Sequence, residues 1–258
     1  MKLPTYTLFI GNPGVGKSTL LNAIIGSVQF ESGVSIGTGL TRRLQLYQAS
    51  DDTVIYGDTP GLDDLENRKL AAEEIKLAFQ QDKGGLIKLV FVVTTESGRV
   101  RASDMATIRL VLDALPDKSI PFGILVNKVS QGLRLKLATS VQAREDFVRS
   151  FACLGPEYSP PKLMFYERMD NLDDQENVVH DPAPTLLEFL DDLEATLVQP
   201  ERVQDIKHQM AAELLEELEK ERAKKKADIS GWSTFVDGLG MGAGAAGMAI
   251  LGMILSRN

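Results

Sequence analysis

Short apolar runs alternate along the chain with longer stretches whose apolar positions recur every three or four residues. The runs are TYTLFIG (5–11), RLQLYQ (43–48), TVIYGD (53–58), LIKLVFVV (86–93), FGILVN (122–127) and KLMFY (162–166). LVFVV carries no polar position on either face, as expected of a strand covered by helices on both sides. Helical patterns occupy 17–26, 65–82, 102–115 and 134–154. Another begins at Thr185, where TLLE offers a capping box ahead of Leu186, Leu190, Leu193 and Leu197. The alternation predicts an α/β fold, a doubly wound and mostly parallel six-stranded sheet with helices on both faces. DNLDDQENVVHDPAP (170–184) is polar and proline-containing and reads as a loop.

After Pro200 the pattern changes. ERVQDIKHQMAAELLEELEKERAKKK reads as a charged helix with an apolar stripe through Ile206, Met210, Leu214 and Leu218. It leads into GWSTFVDGLGMGAGAAGMAILGMILSRN, glycine-rich and nearly uncharged. The shift predicts an α/β domain over 1–199, an amphipathic helix over 200–229 and an apolar tail over 230–258. From Phe235 to Leu255 only Asp237 is charged. A helix of about 20 residues spans a bilayer core. Gly238 and Gly242, with Gly240 and Gly244, give overlapping GxxxG spacing, while Trp232 and Lys224–Lys226 lie upstream. The tail is therefore a candidate membrane anchor, with an apolar segment folded back on the domain as the alternative.

Composition narrows the picture modestly. The 258 residues are 43% hydrophobic and 25% charged, ordinary for a globular chain. A formal charge of −8 leads to the expectation of no nucleic-acid partner. The single cysteine, Cys153, permits no internal disulfide and fits a reducing, cytoplasmic setting. The N-terminus runs from strand-like residues straight into a glycine loop, unlike a signal peptide.

That loop carries the chemistry. Gly11, Asn12, Pro13, Gly14, Val15, Gly16, Lys17 and Ser18 satisfy GxxxxGK[ST], with Thr19 following. Glycines let successive backbone N–H groups curl around phosphate oxygens at the start of a helix. Lys17 would reach the β- and γ-phosphates, and the Ser18 hydroxyl would ligate Mg²⁺. In TVIYGDTPG, Asp58 ends a strand where a carboxylate can hold Mg²⁺ through an intervening water, and Gly61 leaves its N–H open to a γ-phosphate. Between them lies GTGLTRR, in which Thr41, or failing that Thr38, could close over the metal. NKVS (127–130) ends another strand. A kinase, an ATP-driven protein and a GTP switch all use such a phosphate loop; DTPG and NKV argue against the kinase.

Together GNPGVGKSTLLNAIIG, FESGVSIGTGLTRRLQ, DTPGLDD and NKVS resemble the TRAFAC GTPases. The nearest likeness is to the septin-like branch with the immunity-associated and chloroplast import-receptor GTPases. The resemblance covers about residues 5–198 and implies a G domain binding GTP or GDP with Mg²⁺. It implies GTP hydrolysis, pairing of two copies through the G domains, and frequent residence on membranes. It assigns Asn127, Lys128 and position 130 to the guanine base, where Ser130 replaces the family's aspartate. Leu62 stands where small GTPases carry a water-orienting glutamine, so hydrolysis is expected to be slow without a partner. Lys17, Thr41 and Gly61 would act on the transferred phosphate. A structural, nucleotide-stabilised oligomer without meaningful turnover and an ATP-binding P-loop protein are the alternatives. Arg42, Arg43, Arg99 and Arg101 fall in loops near the nucleotide face, with solvated surface as their expected role.

Overall fold

The computed structural model describes residues 4–33, 39–49, 53–63, 68–80, 85–169 and 175–225. Its strands are β1 (Thr5–Ile10), β2 (Gln45–Gln48), β3 (Val54–Asp58), β4 (Leu86–Glu96), β5 (Arg99–Val100), β6 (Phe122–Val129) and β7 (Lys162–Glu167). Helices are α1 (Lys17–Ile25), α2 (Arg68–Gln80), α3 (Ala102–Ala114), α4 (Gln131–Thr139), α5 (Val141–Arg149), α6 (Pro184–Asp191) and α7 (Ala211–Lys225). The main sheet runs β2-β3-β1-β4-β6-β7. All its pairs are parallel except β2 with β3. Its six strands are the six read from the sequence.

β4 shows why this sheet forms. It lies between β1 and β6, and its alternate side chains enter two different cores. Leu89, Phe91 and Val93 join the cluster holding Ile75 of α2, Met105 and Ile108 of α3, and Phe147 of α5. Val90 and Val92 join Leu20 and Leu21 of α1 and Leu186 and Phe189 of α6. Each fully buried side chain of this size contributes about 1.5–3 kcal/mol, so a charge anywhere in LVFVV would break the fold.

Several boundaries differ from the sequence reading. β4 runs on to Glu96, and Ser97 and Gly98, at φ 50 and 77, turn it into β5. Positive φ at both positions is what a two-residue hairpin turn requires. The single helix expected over 134–154 is instead α4, α5 and a 3-10 stretch, Ser150–Leu154. Ser140 makes the break: at ψ 112 it leaves the helix and its hydroxyl accepts from the Ala143 N–H, capping α5. The Thr185 capping box does not form. Ala183 is the cap residue and Pro184 takes the first helical position, where its missing N–H has no consequence. α6 ends at Asp191, and Leu197, expected on its apolar face, is exposed.

Beyond Pro200 the chain makes 3-10 turns at Pro200–Arg202 and His208–Met210 before α7 begins at Ala211. The helix is therefore shorter than the 200–229 expected. Val203, Ile206 and Leu218 join the larger core cluster, and α7 packs on α3. The composition shift at Pro200 marks a charged outer surface over a shared core. Met210, expected on the stripe, is exposed. The candidate anchor lies outside the described residues, among which no helix is long and apolar enough to cross a membrane.

Candidate functional site

The phosphate loop joins β1 to α1 between two constraints that only glycine meets. A Cβ on Gly11 would stand 2.3 Å from the Val92 carbonyl oxygen of β4. Gly16, at φ 94, caps α1 in the left-handed region, and a Cβ there would stand 2.6 Å from Asn127 Nδ2. That amide donates to the Val15 carbonyl at 2.7 Å, and Asn127 Oδ1 accepts from the Lys128 N–H at 2.8 Å. Asn127 thus buttresses the loop from the end of β6. Lys128 is exposed in the left-handed region at φ 56, its stem beside Gly16.

Lys17 is buried, and its ammonium donates to the carbonyls of Gly11 at 2.9 Å and Asn12 at 3.3 Å. Burial pushes its pKa down, against the pull of the Asp58 and Asp104 carboxylates. Ser18 and Thr41 converge on Asp58. The Ser18 hydroxyl donates to Asp58 Oδ2 at 2.6 Å, the Thr41 hydroxyl to the same oxygen at 3.0 Å, and the two hydroxyls lie 3.3 Å apart. Asp58 is fully buried; burial raises its pKa, with Lys17 and the two hydroxyls opposing. Its other oxygen, Oδ1, is buried with no hydrogen-bond partner. A buried carboxylate oxygen without a donor is unfavourable unless something cationic meets it.

These three residues fit a magnesium ion. Mg²⁺ takes one or two protein oxygens and completes its shell with phosphate oxygens and water. Two hydroxyls, one carboxylate with a spare oxygen and an adjoining phosphate loop match that need. Among the described residues no cluster of His, Cys, Asp and Glu offers a rival metal site.

The other sequence-derived positions are distributed as follows. Pro13 lies between the segments that carry Gly39 and Gly61: Cβ atoms built on Gly61 and Gly39 would approach its ring to 2.2 Å and 3.5 Å. Gly61 is thus dictated by its contact with Pro13. Gly14 is exposed, Val15 buried, and Thr19 half-buried in the first turn of α1. Thr38 lies outside the described residues. Leu62 is 2% exposed in the core cluster beside α2, so the position where small GTPases carry a glutamine is here an apolar anchor. Ser130 sits at the N-terminus of α4, where its hydroxyl accepts from the Leu133 N–H at 3.3 Å. Arg42 and Arg43 are exposed; Arg99 is exposed but lies in β5. Arg101 is engaged with Asp104 through both Nε and Nη2. Asp104 and Thr107 of α3 were missed by the sequence reading. They grip the Asn12 side chain at 2.9 and 2.7 Å. The one clue in the sequence is the Arg101–Asp104 spacing at the start of a helix that follows a strand.

Sheet order, phosphate loop, hydroxyl–carboxylate cluster and Asn127 buttress define the fold of a P-loop GTPase G domain. Residues 6–128 match the family model described as 50S ribosome-binding GTPase. GTPase Era of Clostridium kluyveri is 32% identical over 139 residues, 53% of this chain and 44% of that protein. GTPase Era of Neisseria meningitidis serogroup C is 32% identical over 128 residues, 49% and 38% of the two chains. The chain thus spans under half the length of these curated relatives. Among solved structures, Toc33 of Arabidopsis thaliana, with GDP and Mg²⁺, superposes at a TM-score of 0.51. It is 17% identical and the match covers 76% of this chain and 88% of that one, a likeness of fold.

The expectation of no nucleic-acid partner does not stand. The matched family is described as ribosome-binding, and Era has been solved with nucleotides 1506–1542 of 16S ribosomal RNA. Net charge averages over a whole surface and says little about one local patch.

Proposed function

We propose that the protein is a nucleotide-dependent switch that binds GTP and GDP with Mg²⁺ and hydrolyses GTP slowly. The observation that carries this reading is the convergence of Ser18, Thr41 and Asp58 on one point beside the phosphate loop, with Asp58 Oδ1 lacking a partner. Bound Mg²⁺ would supply charge neutralisation at the β- and γ-phosphate oxygens. Ser18 and Thr41 would hold the ion directly and the Asp58 carboxylate would hold it through water. The backbone N–H groups of the loop would cradle the phosphates, and Lys17, held by the Gly11 and Asn12 carbonyls, would give its third N–H to phosphate oxygens. The Gly61 N–H would meet the γ-phosphate, so that Thr41 and Gly61 report its presence to their segments. Asn127 and the Lys128 stem would frame the base, with Ser130 at its edge. The buried Leu62 offers nothing to orient water, which supports slow turnover unless a partner supplies a group.

The finer parts of the reading rest on fewer residues. Placement in the septin-like branch is supported by FESGVSIGTGLTRRLQ and the apolar residue after DTPG, whereas the curated sequence relatives carry the name Era. Pairing of two G domains would bring a second copy's groups to the site. The tail, with one charge between Phe235 and Leu255, would anchor the cytoplasmic G domain to a membrane. A second reading, a nucleotide-stabilised oligomer without turnover, is favoured by the same burial of Leu62.

Nucleotide extracted from the purified chain and titration with labelled GTP test the core of the proposal. Guanine nucleotide should be recovered, Lys17→Ala should abolish binding, and Ser18→Asn should weaken its Mg²⁺ dependence. Unchanged GTP affinity in Lys17→Ala would overturn the nucleotide reading. Single-turnover hydrolysis at low and high protein concentration separates switch from oligomer. For the tail, the full-length chain should resist carbonate extraction from membranes, and a chain ending at Ala227 should not.

A further inference from the structure

The phosphate loop is held at two points, and the sequence motifs account for one. At its C-terminal end Asn127 grips the Val15 carbonyl. At its N-terminal end the grip comes from α3. Asp104, 2% exposed in the first turn of that helix, receives four donors, two on each oxygen. Oδ1 accepts from Asn12 Nδ2 at 2.9 Å and Arg101 Nη2 at 2.8 Å. Oδ2 accepts from the Thr94 N–H at 3.0 Å and Arg101 Nε at 3.1 Å. The Asn12 oxygen is taken by the Thr107 hydroxyl at 2.7 Å. Both polar atoms of the Asn12 side chain are therefore used to fix the loop to α3.

The backbone of that same residue carries the consequence. The Asn12 carbonyl, with that of Gly11, accepts the Lys17 ammonium. Gly14, at φ 76 with open space around it, gives the middle of the loop no side-chain restraint. We propose that Asp104 is a positioning residue for phosphate binding, acting through Asn12 to hold the carbonyls that aim Lys17. The inference rests on the nucleotide reading above. An ionised carboxylate suits this place for two reasons. The helix dipole stabilises a negative charge in the first turn, and two carboxylate oxygens accept four donors where an amide could not.

The test is a double-mutant cycle on labelled-GTP affinity in the presence of Mg²⁺, using the full chain well below its thermal midpoint. Asp104→Asn keeps the volume but turns one acceptor oxygen into a donor facing donors. It should weaken GTP binding by about tenfold, the scale of one hydrogen bond to a charged group. Asn12→Ala should lose a similar factor. The double variant should lose no more than about threefold beyond the weaker single variant, because both act on one link. A merely structural Asp104 would lower the thermal midpoint while leaving affinity within about twofold of wild type, or would combine multiplicatively with Asn12→Ala. Either result overturns the proposal. A wild-type chain that binds no GTP refutes the nucleotide reading and this inference with it, whereas wild-type binding with a silent Asp104→Asn refutes the inference alone.

Discussion

Leu62→Gln installs the residue that small GTPases use to orient water, and the structure says it should fail. Leu62 is 2% exposed within the cluster that holds Ala71, Ala72 and Ile75 of α2, and its carbonyl is fixed by Arg68 Nε at 2.9 Å. Withdrawing the leucine forfeits about 1.5–3 kcal/mol of burial. Leaving an amide in its place adds about 1–3 kcal/mol on mutational scales. The sum, about 2.5–6 kcal/mol, is a large share of the 5–15 kcal/mol that typically holds a domain together. At about 2–4 °C per kcal/mol for a chain of this size, the thermal midpoint should fall by roughly 5–24 °C. The single-turnover rate, measured with GTP in excess Mg²⁺ below the variant's midpoint, should not rise. A midpoint within about 2 °C of wild type together with faster hydrolysis would refute this. It would mean that position 62 faces the nucleotide and that its burial does not support the proposed slow turnover.

Two other perturbations address different joints of the site, and a third the fold around it. Ser130→Asp should leave α4 intact, since aspartate caps helices as well as serine, and should raise GTP affinity relative to ATP by about tenfold through charged acceptance from guanine. An unchanged GTP-to-ATP ratio in competition binding would remove position 130 from the base site. Gly16→Ala should weaken nucleotide binding at least about tenfold, because left-handed strain of about 1–2 kcal/mol adds to displacement of Asn127 from Val15. Isothermal titration showing wild-type affinity would contradict that geometry. His180, packed against Tyr166 with its Nδ1 unpartnered, has its pKa lowered by burial, with Asp181 opposing. The unfolded chain therefore protonates first, so stability should decline as pH falls below the ordinary histidine value and through the lower folded one. His180→Gln should flatten that acid limb in thermal melts, and identical pH slopes would rule His180 out as its source.

Strands were legible for a physical reason. A parallel strand buried on both faces must be apolar at every position, so LVFVV announces itself without any partner information. Features set by single side-chain hydrogen bonds were not legible. The break at Ser140 depends on one hydroxyl choosing to cap α5, while the apolar spacing on either side continues as if one helix ran through. Thr185 and Pro184 illustrate the converse. TLLE has the residues of a capping box, but proline one position earlier suits the first helical position better than threonine suits the cap. After Pro200 the charged surface concealed that Val203, Ile206 and Leu218 belong to the main core.

At the site, legibility followed contiguity. Gly11 to Ser18 lie together in sequence because a phosphate loop is one continuous wrap of backbone, and its spacing is itself the mechanism. Ser18, Thr41 and Asp58 come from three segments, yet Ser18 closes the GK[ST] spacing and Asp58 ends a strand before TPG, and those placements single them out. Asp104 has no such marker: it is one acidic residue in the first turn of a helix, 92 positions from the asparagine it holds. Only the sheet order, which sets β4 and hence the start of α3 beside β1, brings the two together. The same adjacency has a further consequence. α7 packs on α3, so any nucleotide-driven shift of Asn12 that α3 follows is delivered to the helix leading into the tail. Such a route would run through the Asp104 carboxylate, the Thr107 hydroxyl and the packing of α3 on α7. A variant that cuts it at Asp104 therefore tests whether binding and the C-terminal extension communicate as well as whether Lys17 is aimed.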